Sequence, residues 1–172
     1  MRGTAGGRAG RSREARTPFH AKKPPKVTLQ AYAARMAKFS GCSSGCFVVA
    51  VVYMDRVLAR SGHTLSGLNV HRLLLACMVA AAKMQDDFQF NNQFWAKIGG
   101  VGMEELNRLE EHVFTSLGYR VLVDAPEFDA YANLLAALRG DDAQEPDVGS
   151  WRDRPVFAGM CSMLWEARAR GG

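Results

Sequence analysis

From Asn69 to Asp87 the chain reads NVHRLLLACMVAAAKMQDD, and no other stretch limits the fold as strongly. A helix drawn through it is apolar on nearly every side, so it cannot lie on a surface and has to run through the middle of a packed body. Its interior alanines, Ala76, Ala80, Ala81 and Ala82, let neighbouring backbones approach closely. Lys83 falls near the end of this helix, on the face shared with Arg72 and Ala76, where a cation suits the helix dipole.

The segment MEELNRLEEHVFTSLGY is of the opposite kind. Leu106, Leu109, Val113, Phe114 and Leu117 recur at helical spacing, with charged and polar residues on the other side. One residue breaks the pattern. At about 100 degrees per residue Glu110 lands between Leu117 and Phe114, inside the apolar stripe, and a carboxylate there needs a partner.

The net charge of +5 hints at nucleic acid until it is divided along the chain. Residues 1–26 hold eight basic side chains against Glu14 alone, a net +7, so the remaining residues, with fourteen basic and sixteen acidic, net −2. Affinity for phosphate backbones needs clustered cations, and only this arm has them. Rich in Gly, Arg and Pro and nearly free of apolar residues, the arm is expected to be disordered, a solvated tail ending at the Pro24–Pro25 boundary. Residues 27–139 are expected to form the folded body and 140–172 a C-terminal extension.

Within the body, helical periodicity dominates and no stretch reads as a convincing strand. Thr28 caps a first helix through about Phe39, with Leu29, Tyr32, Met36 and Phe39 on its apolar face. Ser and Gly residues around Gly41 to Gly45 turn the chain into a second helix, about Cys46 to Ala59, buried nearly all round. Asp55 falls between Val48 and Val51 on that helix and is therefore enclosed, which requires a partner. Asn69 caps the third helix, and a short fourth spans about Gln93 to Ile98, stopped by Gly99 and Gly100. The fifth runs from about Met103 to Leu117. A sixth, Glu127 to Leu138, opens at Pro126, and a last one is expected between Pro155 and Arg168. The fold class is all-α: a five-helix bundle around a buried central helix, with extra C-terminal helices.

Catalytic chemistry finds little support. His20, His63, His71 and His112 are scattered, the last two on expected exposed helix faces, and none has a spacing that binds metal or activates a nucleophile. Gly99, Gly100 and Gly102 follow a helix instead of a strand, so they form no phosphate loop. Cys42 and Cys46 can share a helix face, but no histidine or second cysteine pair nearby completes a zinc site; with Cys77 and Cys161 they read as reduced, mostly buried thiols of an intracellular protein. The run Phe39 to Met54 is too short and too interrupted to span a membrane. No metal and no cofactor is expected. The chain reads as a binding module.

Several strings then carry a family resemblance. VVYMDRVL, NVHRLLLACMVAAAKMQDD, NNQFWAKIGG and ELNRLEEHVFTSLGY, in this order, closely resemble the cyclin box, above all that of the phosphate-type and plant P/U-type cyclins. The likeness covers roughly Val27 to Tyr119 and fades toward Leu138. It implies a non-catalytic regulator that docks its third and fifth box helices on the C-helix of a cyclin-dependent Ser/Thr kinase. By resemblance Lys83 pairs with Glu110 and meets the kinase backbone, Met84 and Tyr119 make apolar contacts with the kinase, and Asp55 pairs with Arg35 on the first helix. Met84 departs from the usual Phe of that position. About fifty residues follow the box, which suits the single-box group. The alternative is a cyclin-like adaptor of the transcription machinery or of nucleic acid, bound through the basic arm. An intracellular location, nuclear and/or cytoplasmic, goes with either function.

Overall fold

The computed structural model describes residues 16–87, 90–139 and Val156. They form six helices: α1 (Leu29–Ser40), α2 (Ser44–Ser61), α3 (Val70–Gln85), α4 (Asn92–Gly99), α5 (Met103–Leu117) and α6 (Ala125–Arg139). Among the described residues there is no strand. The helix expected at 155–168 and the loop before it lie outside the described residues, apart from Val156, which is helical and 2% exposed.

α3 is the axis of the body. It packs on α1, α2, α4 and α5, and every residue from Leu73 to Ala82 is buried. α2 closes over it, packs on α5 as well, and carries α6 on its outer side. The boundaries follow local chemistry. Thr28 Oγ1 accepts from Ala31 N at 3.2 Å to cap α1, Asn91 Oδ1 caps α4 through Phe94 N at 3.0 Å, and Asp124 Oδ1 caps α6 through Glu127 N at 2.9 Å. Gly41, Gly62, Gly100 and Gly118 close α1, α2, α4 and α5 in left-handed conformations.

Several expectations require correction. Part of the stretch assigned to the tail packs on the body: Phe19 is 3% exposed within the core, Ala21 N donates to Leu68 O at 2.7 Å, and Arg16 Nη2 donates to Ala21 O at 3.0 Å. The buried Phe19 and Ala21 dock a basic stretch whose average composition disfavours order. Asn69 stands at the start of α3, yet its side chain turns away from the helix, accepting from Ser66 N at 2.8 Å and donating to Thr64 O at 2.8 Å, so that it shapes the preceding loop. Phe39, assigned to the apolar face of α1, is 50% exposed with the Lys38 ammonium over its ring. His71 is buried, its Nε2–H donating to Val27 O at 2.9 Å.

Asp55 is fully enclosed, as its wheel position requires, but not with Arg35. Tyr131 Oη donates to its Oδ2 at 2.6 Å and Val156 N to its Oδ1 at 3.1 Å. Arg35 instead lies over the ring of Tyr32 at 5.1 Å. The carboxylate thus fastens α6 and Val156 to α2, and a buried carboxylate requires such partners. Tyr53 and Arg56 extend the same seam. Tyr53 Oη donates to Val121 O at 2.6 Å, and Arg56 donates to Arg120 O, Leu122 O and Glu127 Oε2.

Two tests follow from this packing. A Cβ on the buried Gly99 would lie 2.8 Å from Leu75 Cδ1 and closer still to Cδ2, and Leu75 is itself fully buried. Gly99→Ala is therefore expected to destabilise the protein by about 1–3 kcal/mol, read as a lowered denaturant midpoint. His71 is held below its usual 6.5 by burial, with the charges of Arg35 and Arg72 acting in the same direction. The unfolded chain then takes up the proton more readily than the folded one, so stability falls as pH drops through 6.5 and is fully present above it. Melting temperature should decline on acidification through that range, and His71→Gln, which keeps the donor to Val27 without titrating, should reduce the decline.

Candidate functional site

The polar groups of the buried axis gather where α3 emerges. Lys83 Nζ, in the last turn of α3, lies 2.5 Å from Glu110 Oε1 on α5. Glu110 occupies the apolar stripe of α5 between Leu106, Leu109 and Val113, all buried, and its side chain is 11% exposed against 30% for Lys83. The second carboxylate oxygen, Oε2, accepts from Asn92 Nδ2 at 2.7 Å. Asn92 also donates to Asn107 Oδ1 at 2.8 Å. Three helices therefore meet on one carboxylate: α3 through its lysine, α4 through its first-turn amide, and α5 itself.

At its other end α3 is tied to α5 by Arg72 Nε and Glu105 Oε1, 2.6 Å apart. The two ion pairs come in the same order along both helices. That fixes their register, so Lys83 meets Glu110 and not Glu111, which faces solvent one residue on.

Two of the apolar side chains expected at the site remain in solvent, one next to Lys83 in α3 and one just after the end of α5. Met84 is 46% exposed and Tyr119 73%. Tyr119 has φ 58, a left-handed conformation that a tyrosine rarely takes. It lies directly after the left-handed Gly118, and the double turn lays its ring over Phe114 of α5, with centroids 6.4 Å apart and planes 11° from parallel. Arg60 Nη1 donates to Leu117 O at 3.1 Å and closes the end of α5 beside it. A groove of about 610 Å³ runs along this end, lined by Arg56, Arg60, Leu117, Tyr119 and Leu122; Leu122 is 82% exposed.

Of the residues singled out from sequence, Lys83 and Glu110 come into contact, while Met84 on α3 and Tyr119 just after α5 are exposed. Arg35 and Asp55 do not meet. Asn92 was not anticipated as part of the site; its only signal was its place in the polar stretch before α4. A second polar cluster was also missed. Cys42, Cys46 and Asp86 converge where α2 begins and α3 ends, with Cys46 Sγ donating to Asp86 Oδ2 at 3.1 Å. Burial pushes the Cys46 thiol up to about 12, so it carries its proton at neutral pH. Asp86 is pushed upward by burial, but the hydrogen bonds from Cys46 and Ser43 outweigh this and leave it below the ordinary carboxylate value.

No helix among the described residues is long and apolar enough to cross a membrane. Residues 9–121 match the sequence model of the family described as Cyclin. Cyclin-P3-1 of Oryza sativa subsp. japonica is 41% identical over 119 residues, covering 69% of this chain and 50% of the relative. Cyclin-U1-1 of Arabidopsis thaliana is 41% identical over 123 residues, 71% of this chain and 57% of the relative. Cyclin-U4-1 of the same plant is 41% identical over 118 residues, 68% and 58%. The chain spans about half the length of the curated relatives it matches. With the matched region taking in the helices that hold Lys83 and Glu110, and with this degree of identity to P- and U-type cyclins, the chain belongs to the cyclin family.

Proposed function

We propose that this chain is a non-catalytic regulatory subunit that binds and activates a cyclin-dependent Ser/Thr kinase by laying α3 and α5 against the kinase's C-helix. The observation that carries this proposal is the Lys83–Glu110 pair. If its only duty were to hold α3 to α5, apolar side chains of similar volume would serve at least as well, because desolvating two charges offsets most of their attraction. The pair instead leaves Lys83 partly open to solvent, with the exposed Met84 next to it in the chain and the exposed Tyr119 following the helix that carries Glu110.

The mechanism is a population shift. A kinase is active only while the glutamate of its C-helix meets the lysine of its β3 strand. A surface that fits the C-helix in that position, and fits it less well elsewhere, favours the active state by the difference in its affinity for the two. Met84 and Tyr119 supply apolar contact, methionine being the more adaptable. The charged pair supplies the register, since misplacing a partner would leave a buried charge unsatisfied. Residence with the kinase, in the nucleus and/or the cytoplasm, is part of the same proposal.

Tyr119 separates docking from folding. Its left-handed backbone suits glycine at no steric cost, so Tyr119→Gly should leave the melting temperature unchanged or slightly raised. Kinase affinity, measured by calorimetry with a purified cyclin-dependent kinase, should fall by about tenfold or more. Lys83→Ala should weaken binding too, with a stability loss of about 1–3 kcal/mol, between the values for exposed and buried pairs. Should both variants bind the kinase as the unaltered chain does, the docking face lies elsewhere.

A further inference from the structure

We propose that Cys42, Cys46 and Asp86 form a zinc-binding site, with two thiolates and one carboxylate as ligands and a fourth position left to water. The three come from separate places in the chain. Cys42 lies in the turn between α1 and α2, Cys46 in the first turn of α2, and Asp86 at the end of α3. Their ligand atoms all lie within 4.8 Å of one another, and among the described residues no other three His, Cys, Asp or Glu side chains form such a group.

The distances suit the ion. Zinc bonds of about 2.3 Å to sulfur and about 2.1 Å to oxygen, set tetrahedrally, put ligand atoms roughly 3.5–3.8 Å apart. Cys46 Sγ and Asp86 Oδ2 stand at 3.1 Å, so this edge needs to widen by only a few tenths of an ångström. Cys42 has to move further: its thiol lies 3.9 Å from Ser40 O and already interacts with Asp86 and Cys46, and the residue is half-buried, whereas Cys46 is fully buried. Its backbone is already fixed by Cys42 N donating to Ser40 Oγ at 3.3 Å.

The surroundings match the charge that the ligands would carry. Ser43 N donates to Asp86 Oδ2 at 3.3 Å, and Ser43 Oγ lies 3.5 Å from Cys46 Sγ. Both thiols sit at the N-terminal end of α2, where the helix dipole favours anions. The thiolate pair selects a soft or borderline cation over magnesium or calcium. The neighbouring Gly41, Ser43 and Ser44 are exposed, so water can reach the fourth position. On binding, Zn²⁺ displaces the two thiol protons, which pass to the buffer, and nothing is oxidised or reduced. The ion would clamp the start of α2 to the end of α3, two residues from Met84. The zinc proposal stands independently of kinase docking.

Cobalt(II) titration of the whole chain, kept reduced with a phosphine, tests it. One equivalent should give thiolate-to-cobalt charge-transfer absorption and the visible bands of tetrahedral cobalt, and added zinc should abolish both. Zinc should also raise the melting temperature by mass action. Cys42→Ser, at a half-buried position that should not disturb folding, is expected to remove the charge-transfer band and the thermal shift while the far-ultraviolet circular dichroism stays unchanged. Asp86→Asn should weaken binding. Absence of the bands with one equivalent of cobalt, or their persistence in Cys42→Ser, would overturn the assignment and leave Asp86 as a hydrogen-bond acceptor alone.

Discussion

A helix that buries ten consecutive residues has no side on which to do anything, and this constraint arranges the rest of the molecule. From Leu73 to Ala82, α3 is wrapped by its neighbours. Whatever it offers a partner must come from its ends, where the chain returns to water. Its first turn offers Arg72, taken up by Glu105. Its last turn offers Lys83 and Met84. The body holds Lys83 and Met84 at a defined place, with α5 laid beside α3 so that Glu110 meets Lys83.

Enclosure on this scale leaves little tolerance in the layers around α3. Tyr32 Oη donates to Gly99 O at 3.0 Å, so α1 and α4 are joined beneath the surface, and Gly99 itself leaves no room between α4 and Leu75. On the opposite side, Asp55 gathers α2, α6 and Val156 around one carboxylate. A buried charge of this kind stabilises little over an apolar substitute, but it punishes every arrangement that leaves it unpaired. It gives α6 a single seat on α2, and the Arg56 contacts to Arg120, Leu122 and Glu127 extend that seat to the segment around Tyr119.

Much of this was legible in the order of residues, and most of what escaped depends on distant segments. Helices showed through their apolar spacing because burial of a face is a local pattern. Glu110 showed because a carboxylate inside an apolar stripe is a conflict visible on one helix. Its partner Lys83 was named by resemblance. Interactions that depend on distant segments were missed or misassigned. Asp55 was given to Arg35, whereas its hydroxyl partner Tyr131 stands 76 residues away. Asp86 joins Cys46 across 40 residues, beyond the range of any spacing rule. Phe19 was lost by averaging, as a lone aromatic in a basic, glycine-rich stretch. His71 was placed in solvent because α3 was judged apolar on nearly every side but not on all.

The central claim is that the exposed edge around Lys83 and Glu110 holds a kinase in its active state. Its most direct measurement is phosphotransfer by a cyclin-dependent kinase captured on this chain from lysate of the source cells, with the purified chain then added in increasing amounts. The account predicts that activity rises with added protein to a plateau, and that a chain carrying Glu110→Ala and Tyr119→Gly captures little kinase and raises its activity hardly at all. Capture of no such kinase, or activation equal for the altered and unaltered chains, would contradict it.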